Sequence, residues 1–182
     1  MGKNVMEEMV RSSVADYIEH LHSIADKENV DMHKPVQLMI ANIINETLFG
    51  FRYTHDDCAP LMVYVKTMNQ RLDDLAGSRW LLLGFAFPFL TQLPVIGWYT
   101  LGQFKQAIAE MNVYIVNNVE RILKAKIDEG DEPTNFVQAY KQRMNGNEYL
   151  NKANLLGSCA DFFFAGQETT TTTLRWAMLI LA

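Results

Sequence analysis

An all-α domain is what this sequence predicts, and three observations carry that prediction. Apolar residues recur at intervals of three and four along most of the chain, which is the period of a helix face rather than of a strand. The stretch Ala153–Ala182 contains no proline and, as one helix, runs about 45 Å at about 1.5 Å per residue. The composition, 182 residues with 49% hydrophobic and 20% charged, is that of one folded domain with a real core rather than a disordered chain.

Composition also excludes function classes. The net charge is −5 with no basic block, which argues against nucleic acid as a partner. Cys58 and Cys159 are too few and too far apart to form a disulfide framework, and they are compatible with a reducing compartment. No secretory signal is read at the start. No uninterrupted apolar run approaches the roughly 18 residues that a membrane-spanning helix needs.

Six helices are expected. In the first, Met6, Met9, Val10, Ser13, Val14, Tyr17, Ile18 and Leu21 step mostly by three and four and make an amphipathic helix. Residues 27–34 are polar and read as a loop. Pro35 suits the first turn of the second helix. Leu38, Ile40, Ala41, Ile43, Ile44, Thr47 and Leu48 make that helix apolar nearly all round, hence buried, and Gly50 ends it. Asn45-Glu46-Thr47 matches a glycosylation sequon, but a buried mid-helix position argues against its use. Asp56 to about Leu75 reads as the third helix, with Leu61, Val65, Met68 and Leu72 as its stripe. The apolar run 81–90 is too short to span a bilayer, and Pro88, Pro94 and Gly97 break any helix through it; from the residues it reads as a buried connector. Phe104 to about Asp128 is the fourth helix, stepping through Ile108, Met111, Ile115, Val119, Ile122 and Lys126. An acidic turn, 128–133, leads to a short fifth helix from Asn135-Phe136 to Met144. After a loop at 146–151 the long sixth helix begins near Asn151 or Asn154, either of which suits an N-cap.

The centre of that last helix is written against helix preference. Gly166 and the five threonines Thr169–Thr173 occupy positions where Ala and Leu are favoured. Such a break inside the longest element is where a site is to be expected. Ala165 and Gly166 remove bulk, so something large can approach the backbone. A mid-helix Thr169 hydroxyl can donate to the carbonyl four residues back, that of Ala165. Asp161, Ala165, Thr169 and Thr172 fall on one small, polar face, flanked by Phe162, Phe163 and Phe164. A solvated or interfacial threonine-rich stretch without function is the competing reading of the same residues.

The run Phe162-Phe163-Phe164-Ala165-Gly166-Gln167-Glu168-Thr169-Thr170, with Asp161 before it and Thr172-Thr173-Leu174-Arg175-Trp176-Ala177 after it, resembles the central-helix motif of the cytochrome P-450 family, the haem-thiolate monooxygenases. It is most similar in kind to the microsomal branch that oxidises drugs and steroids. Upstream segments agree. Met1-Gly2-Lys3 resembles the run that precedes the family's helix D, so Met1 reads as an internal methionine. Ile43–Tyr53 resembles helix E and its exit, 81–99 the region between helices F and G, Phe104 onwards helix G, and Asn135-Phe136 the segment before helix H. The resemblance implies a single incomplete domain over 1–182, an incomplete cytochrome P-450 fold covering roughly helices D to I.

What the resemblance implies for function follows residue by residue. Thr169 and Glu168 are the catalytic pair that delivers protons for O–O cleavage. Ala165, Gly166 and Thr169 lie against the haem. Asp161, Phe162, Phe164, Ala165 and Thr173 line the substrate pocket. The complete enzyme holds haem iron, takes a small lipophilic substrate and O2, and receives electrons from an NADPH-dependent reductase on the cytosolic face of the endoplasmic reticulum membrane. The segment 81–99, with Trp80, Trp98 and Tyr99 at its edges, helps wall the pocket and leans on the membrane surface. Neither Cys58 nor Cys159 has the surroundings of the family's haem-ligand cysteine. The axial-ligand loop, the Glu-x-x-Arg helix, the N-terminal anchor and the W-x-x-x-R helix are absent from these residues. The expectation is therefore that the isolated chain is marginally stable, prone to aggregate and inactive. The alternative to an enzyme part is a truncated helical protein with at most a binding or regulatory role.

Other candidates are weaker. Glu19 and His22 have the i, i+3 spacing of di-iron bundles, but no second copy exists, so a solvated helix end is the better reading. His33 and His55 are expected in loops, without partners or roles.

Overall fold

Every regular element among the described residues is a helix. The computed structural model describes residues 3–26, 30–125, 132–144, 147 and 149–181. The expectations placed on Met1, residues 27–29, Lys126, the turn at 128–131, Gly146 and Ala182 lie outside these, as does the side chain of Phe104. The longer helices are α1 (Lys3–Ser23), α2 (His33–Phe49), α3 (Ala59–Ala76), α6 (Gln103–Lys124), α7 (Phe136–Met144) and α8 (Lys152–Leu181). They match the six expected, and the all-α class is as the sequence indicated.

The apolar stretch after α3 differs from expectation. It is neither a plain connector nor buried. It forms α4 (Arg79–Ala86), a 3₁₀ turn over Pro88–Gln92, the short α5 (Pro94–Gly97) and a π turn over Trp98–Gly102. Ser78 Oγ caps α4 by accepting from the Leu81 N–H at 3.2 Å. The breaks fall where proline has no N–H to give, at Phe87-Pro88 and Leu93-Pro94. Leu82, Phe85, Phe89, Val95 and Trp98 are 62–71% exposed.

α2 is the hub. It packs against α1 on one side and α8 on the other, and also touches α3, α6 and α7. Its apolar circumference therefore has partners all round. Gly50 terminates it in the left-handed region at φ 78°, and a Cβ there would meet Asn135 Nδ2 at 2.9 Å. Asn45 is fully buried: its amide donates to the Phe51 carbonyl at 2.6 Å and its Oδ1 accepts from the Tyr114 hydroxyl at 2.5 Å. Its amide is engaged in the core and closed to glycosylation.

Two apolar clusters result. The larger joins α2, α3, α6, α7 and α8 through Leu48, Phe49, Leu61, Val65, Ile115, Val119, Leu155 and Phe163. The smaller joins α1 to α2 and α8 through Tyr17, Val36, Met39 and Ile40. Only part of the α1 stripe is used: Ser13 and Tyr17 are buried, whereas Met6, Val10, Val14 and Ile18 stand exposed. α3 begins at Ala59, with Cys58 before it, three residues later than the sequence suggested. His33 is the first residue of α2 rather than a loop residue. His55 is not without a partner either: its ring lies flat on that of His20, centroids 3.6 Å apart and 4° from parallel.

Candidate functional site on the central helix

α8 runs unbroken through the threonine run. Asn151 caps it, its Oδ1 accepting from the Asn154 N–H at 2.9 Å. Its buried ridge is Leu155, Cys159, Phe163, Gln167 and Thr171, one residue every four. Phe163 anchors the ridge, stacking on Phe49 (6.2 Å between centroids) and meeting Tyr64 (5.1 Å) and Tyr114 (6.1 Å) edge-on. Anchoring that face turns the opposite one outward.

The outward face carries the sequence-predicted residues. Asp161, Ala165, Thr169 and Thr173 are exposed, and Glu168 and Thr172 are half-buried. The Thr169 hydroxyl donates to the Ala165 carbonyl at 2.6 Å, as its position suggested, and Thr173 donates to the Thr169 carbonyl at 2.8 Å. Both hydroxyls are satisfied within the helix, so the run costs little and the helix does not break. Thr172 Oγ1 donates to Glu168 Oε1 at 3.0 Å, while Glu168 Oε2 is shielded from solvent and has no hydrogen-bond partner.

The remaining predicted residues divide. Asp161 and Phe164 line a cavity of about 320 Å³ with Tyr64 and Met68 from α3 and Ile108, Met111 and Asn112 from α6. Phe162 lies elsewhere, tilted against Phe136 of α7 with centroids 5.9 Å apart. Gly166 turns towards α2: a Cβ there would meet Ile44 Cδ1 at 3.1 Å. Its missing side chain thus serves the close approach of two helices. Local sequence carried no sign of the α3 and α6 residues of the cavity, because they join α8 only through the fold. Gln167 was also passed over; the signal available was an amide repeating the four-residue step of the buried ridge.

Ala165 and Thr169, both uncovered and one turn apart with the half-buried Glu168 beside them, leave one face of the helix open to a flat macrocycle. An axial thiolate does not come from the described cysteines. Cys58 and Cys159 are both buried in the core, and burial pushes the Cys159 thiol up to about 12. Among the described residues no group of three or more His, Cys, Asp or Glu side chains is placed to hold a metal ion.

Comparison with known proteins identifies the family. The cytochrome P-450 family profile matches residues 1–182. The chain is 27% identical to cytochrome P-450 2J2 of Homo sapiens and 29% identical to cytochrome P-450 2J3 of Rattus norvegicus, over all of this chain and 36% of each relative. It is 26% identical to the steroid 17-alpha-hydroxylase/17,20 lyase of Rattus norvegicus over 86% of this chain and 31% of that protein. The chain thus spans about a third of the length of the curated relatives it matches. An all-helical fold and a profile match from end to end agree: the chain belongs to the cytochrome P-450 family.

Proposed function

We propose that these residues form the oxygen- and substrate-facing part of a haem-dependent monooxygenase. The complete enzyme places one atom of O2 into a small lipophilic substrate and reduces the other to water, with electrons from an NADPH-dependent reductase. The observation that carries this reading is the position of Thr169: on the uncovered face of α8, one turn past Ala165, beside an acid whose Oε2 has no partner. Bound haem supplies the oxygen chemistry and the electron relay. Ala165 and Thr169 would lie along it, whereas Gly166, expected there from the resemblance, faces Ile44 of α2 instead.

The chain's own part is proton handling and pocket shape. With its proton on the Ala165 carbonyl, the Thr169 hydroxyl offers lone pairs outward to a water or an acid. Rotation about its C–O bond then turns the O–H outward and passes a proton on. Glu168, held at Oε1 by Thr172, keeps Oε2 for that exchange. Asp161 and Phe164 bound the substrate cavity and Thr173 extends the exposed face of α8, whereas Phe162 packs on Phe136 of α7, apart from that cavity. The exposed apolar surface of 80–99 is assigned to contact with the cytosolic face of the endoplasmic reticulum membrane. No helix among the described residues is long and apolar enough to cross a membrane.

The test is a haem-loaded enzyme in which this segment is completed with flanking sequence from the matched relatives. Thr169→Ala should leave haem content unchanged and lower product formed per O2 consumed by at least about tenfold, a modest share of the 10²–10⁴ that a positioned proton donor contributes. Glu168→Gln should move the same ratio in the same direction. Unchanged coupling in Thr169→Ala removes that hydroxyl from the proton path. The second reading is a helical protein without haem chemistry; failure of the completed chain to take up haem would select it.

A further inference from the structure

The sequence motif draws attention to Glu168 and Thr169, but the polar group most committed to the fold is their neighbour. Gln167 is fully buried, between Phe163 and Thr171, which are fully buried too. Its amide nitrogen donates across the interface to the Gln37 carbonyl of α2 at 3.0 Å and along the helix to Thr171 Oγ1 at 3.4 Å. Both N–H donors are then used, whereas Oε1 is buried without a partner. Rotating the amide by half a turn would set its oxygen against the Gln37 carbonyl oxygen, so only one orientation satisfies the site.

A buried amide with an orphaned acceptor costs stability relative to an apolar side chain of the same size. What it gives in return is a directional tie. Leu155, Cys159 and Phe163 hold α8 by packing, which tolerates a small rotation or slide. The Gln167–Gln37 bond does not. It lies beside a close approach of the two helices, where Gly166 leaves 3.1 Å between a would-be Cβ and Ile44. Glu168 and Thr169 follow immediately, one and two residues on.

We propose that Gln167 is a positioning residue that locks the rotation of α8 on α2 and so holds Thr169 and Glu168 on the open face. Its bearing on catalysis rests on the monooxygenase reading above; the rotational lock itself does not. The test uses the 182-residue chain. Spin labels are placed on cysteines introduced at Val63 of α3 and Arg175 of α8, both exposed, while the native cysteines are buried. The distance distribution is then compared with and without Gln167→Leu. A rotation of about 20° moves a side chain at a radius of roughly 5–6 Å by about 2 Å. The expected result is a distribution broadened or shifted by about 2 Å or more, with helicity and melting midpoint equal to or above those of the parent. Leu155→Ala, a plain core cavity, should instead lower the midpoint without moving the distance. An unchanged distribution in Gln167→Leu, or the same broadening in Leu155→Ala, overturns the proposal. In the haem-loaded completed enzyme, Gln167→Leu should lower product per O2 with KM unchanged. If the completed chain takes up no haem, the monooxygenase reading fails while the label distances still decide the lock.

Discussion

His55 shows how a single side chain can set a pH dependence. Burial holds its imidazole below the ordinary value of 6.5, and the His20 ring stacked on it and Lys34 act in the same direction, against Asp16 and Asp56. The folded state therefore favours the neutral ring, while the unfolded chain protonates at the ordinary value. Between these two values the unfolded state binds more protons, so stability is lost as pH falls through 6.5. Melting midpoints should decline from pH 7.5 to 5, and His55→Phe, which keeps an aromatic face on His20 without a titrating group, should flatten that decline. An equal decline in the variant would place the acid sensitivity elsewhere. Thr169 belongs to this scale as well: its hydroxyl satisfies itself on its own helix, so replacing it tests proton delivery with little effect on folding.

Among the elements, α8 depends most on one residue for its seating. Phe163 meets Phe49, Tyr64 and Tyr114, from α2, α3 and α6. Phe163→Ala removes a ring from the point where four helices meet, at about 3–5 kcal/mol for a buried phenylalanine. For a chain of this size that lowers the melting midpoint by about 6–20 °C. Thermal unfolding followed by circular dichroism measures it; a loss under about 1 kcal/mol would mean the helices seat without this ring. The same helix is bare towards its end, with Trp176, Leu179, Ile180 and Leu181 all exposed. The absence of proline located this helix, but its partners, set along the buried ridge from Leu155 to Thr171, were left undetermined.

For the whole molecule, two exposed apolar features lie apart in the chain, at 80–99 and at the end of α8. The first gathers Trp80, Phe85, Phe87, Phe89, Trp98 and Tyr99 on short helical pieces. Its placement outside the core argues for contact with a lipid surface. The chain should co-sediment with phosphatidylcholine vesicles, and Phe85→Ser with Phe89→Ser should lower the partition coefficient by at least about tenfold, since burying a phenylalanine is worth roughly 1.5–3 kcal/mol. Equal sedimentation of the double variant would remove the segment from membrane contact.

The six longer helices, their order and some of their ends were open to reading from sequence. A three-to-four spacing, Gly50, Asn151 and the prolines at 88 and 94 act through local geometry, which is the same wherever the chain is folded. Gly166 and the five threonines drew notice to this part of α8 because they stand out against helix propensities, while the roles proposed for Ala165, Glu168 and Thr169 rest on the family resemblance. Tertiary structure alone decided what faces what. It turned Gly166 to Ile44 and Phe162 to Phe136, stacked His55 on His20, brought α3 and α6 to Asp161 and Phe164, and seated Gln167 on the Gln37 carbonyl. Those pairings join residues up to 130 positions apart. They depend on the rotation of one packed helix against another, which no spacing along a single helix encodes.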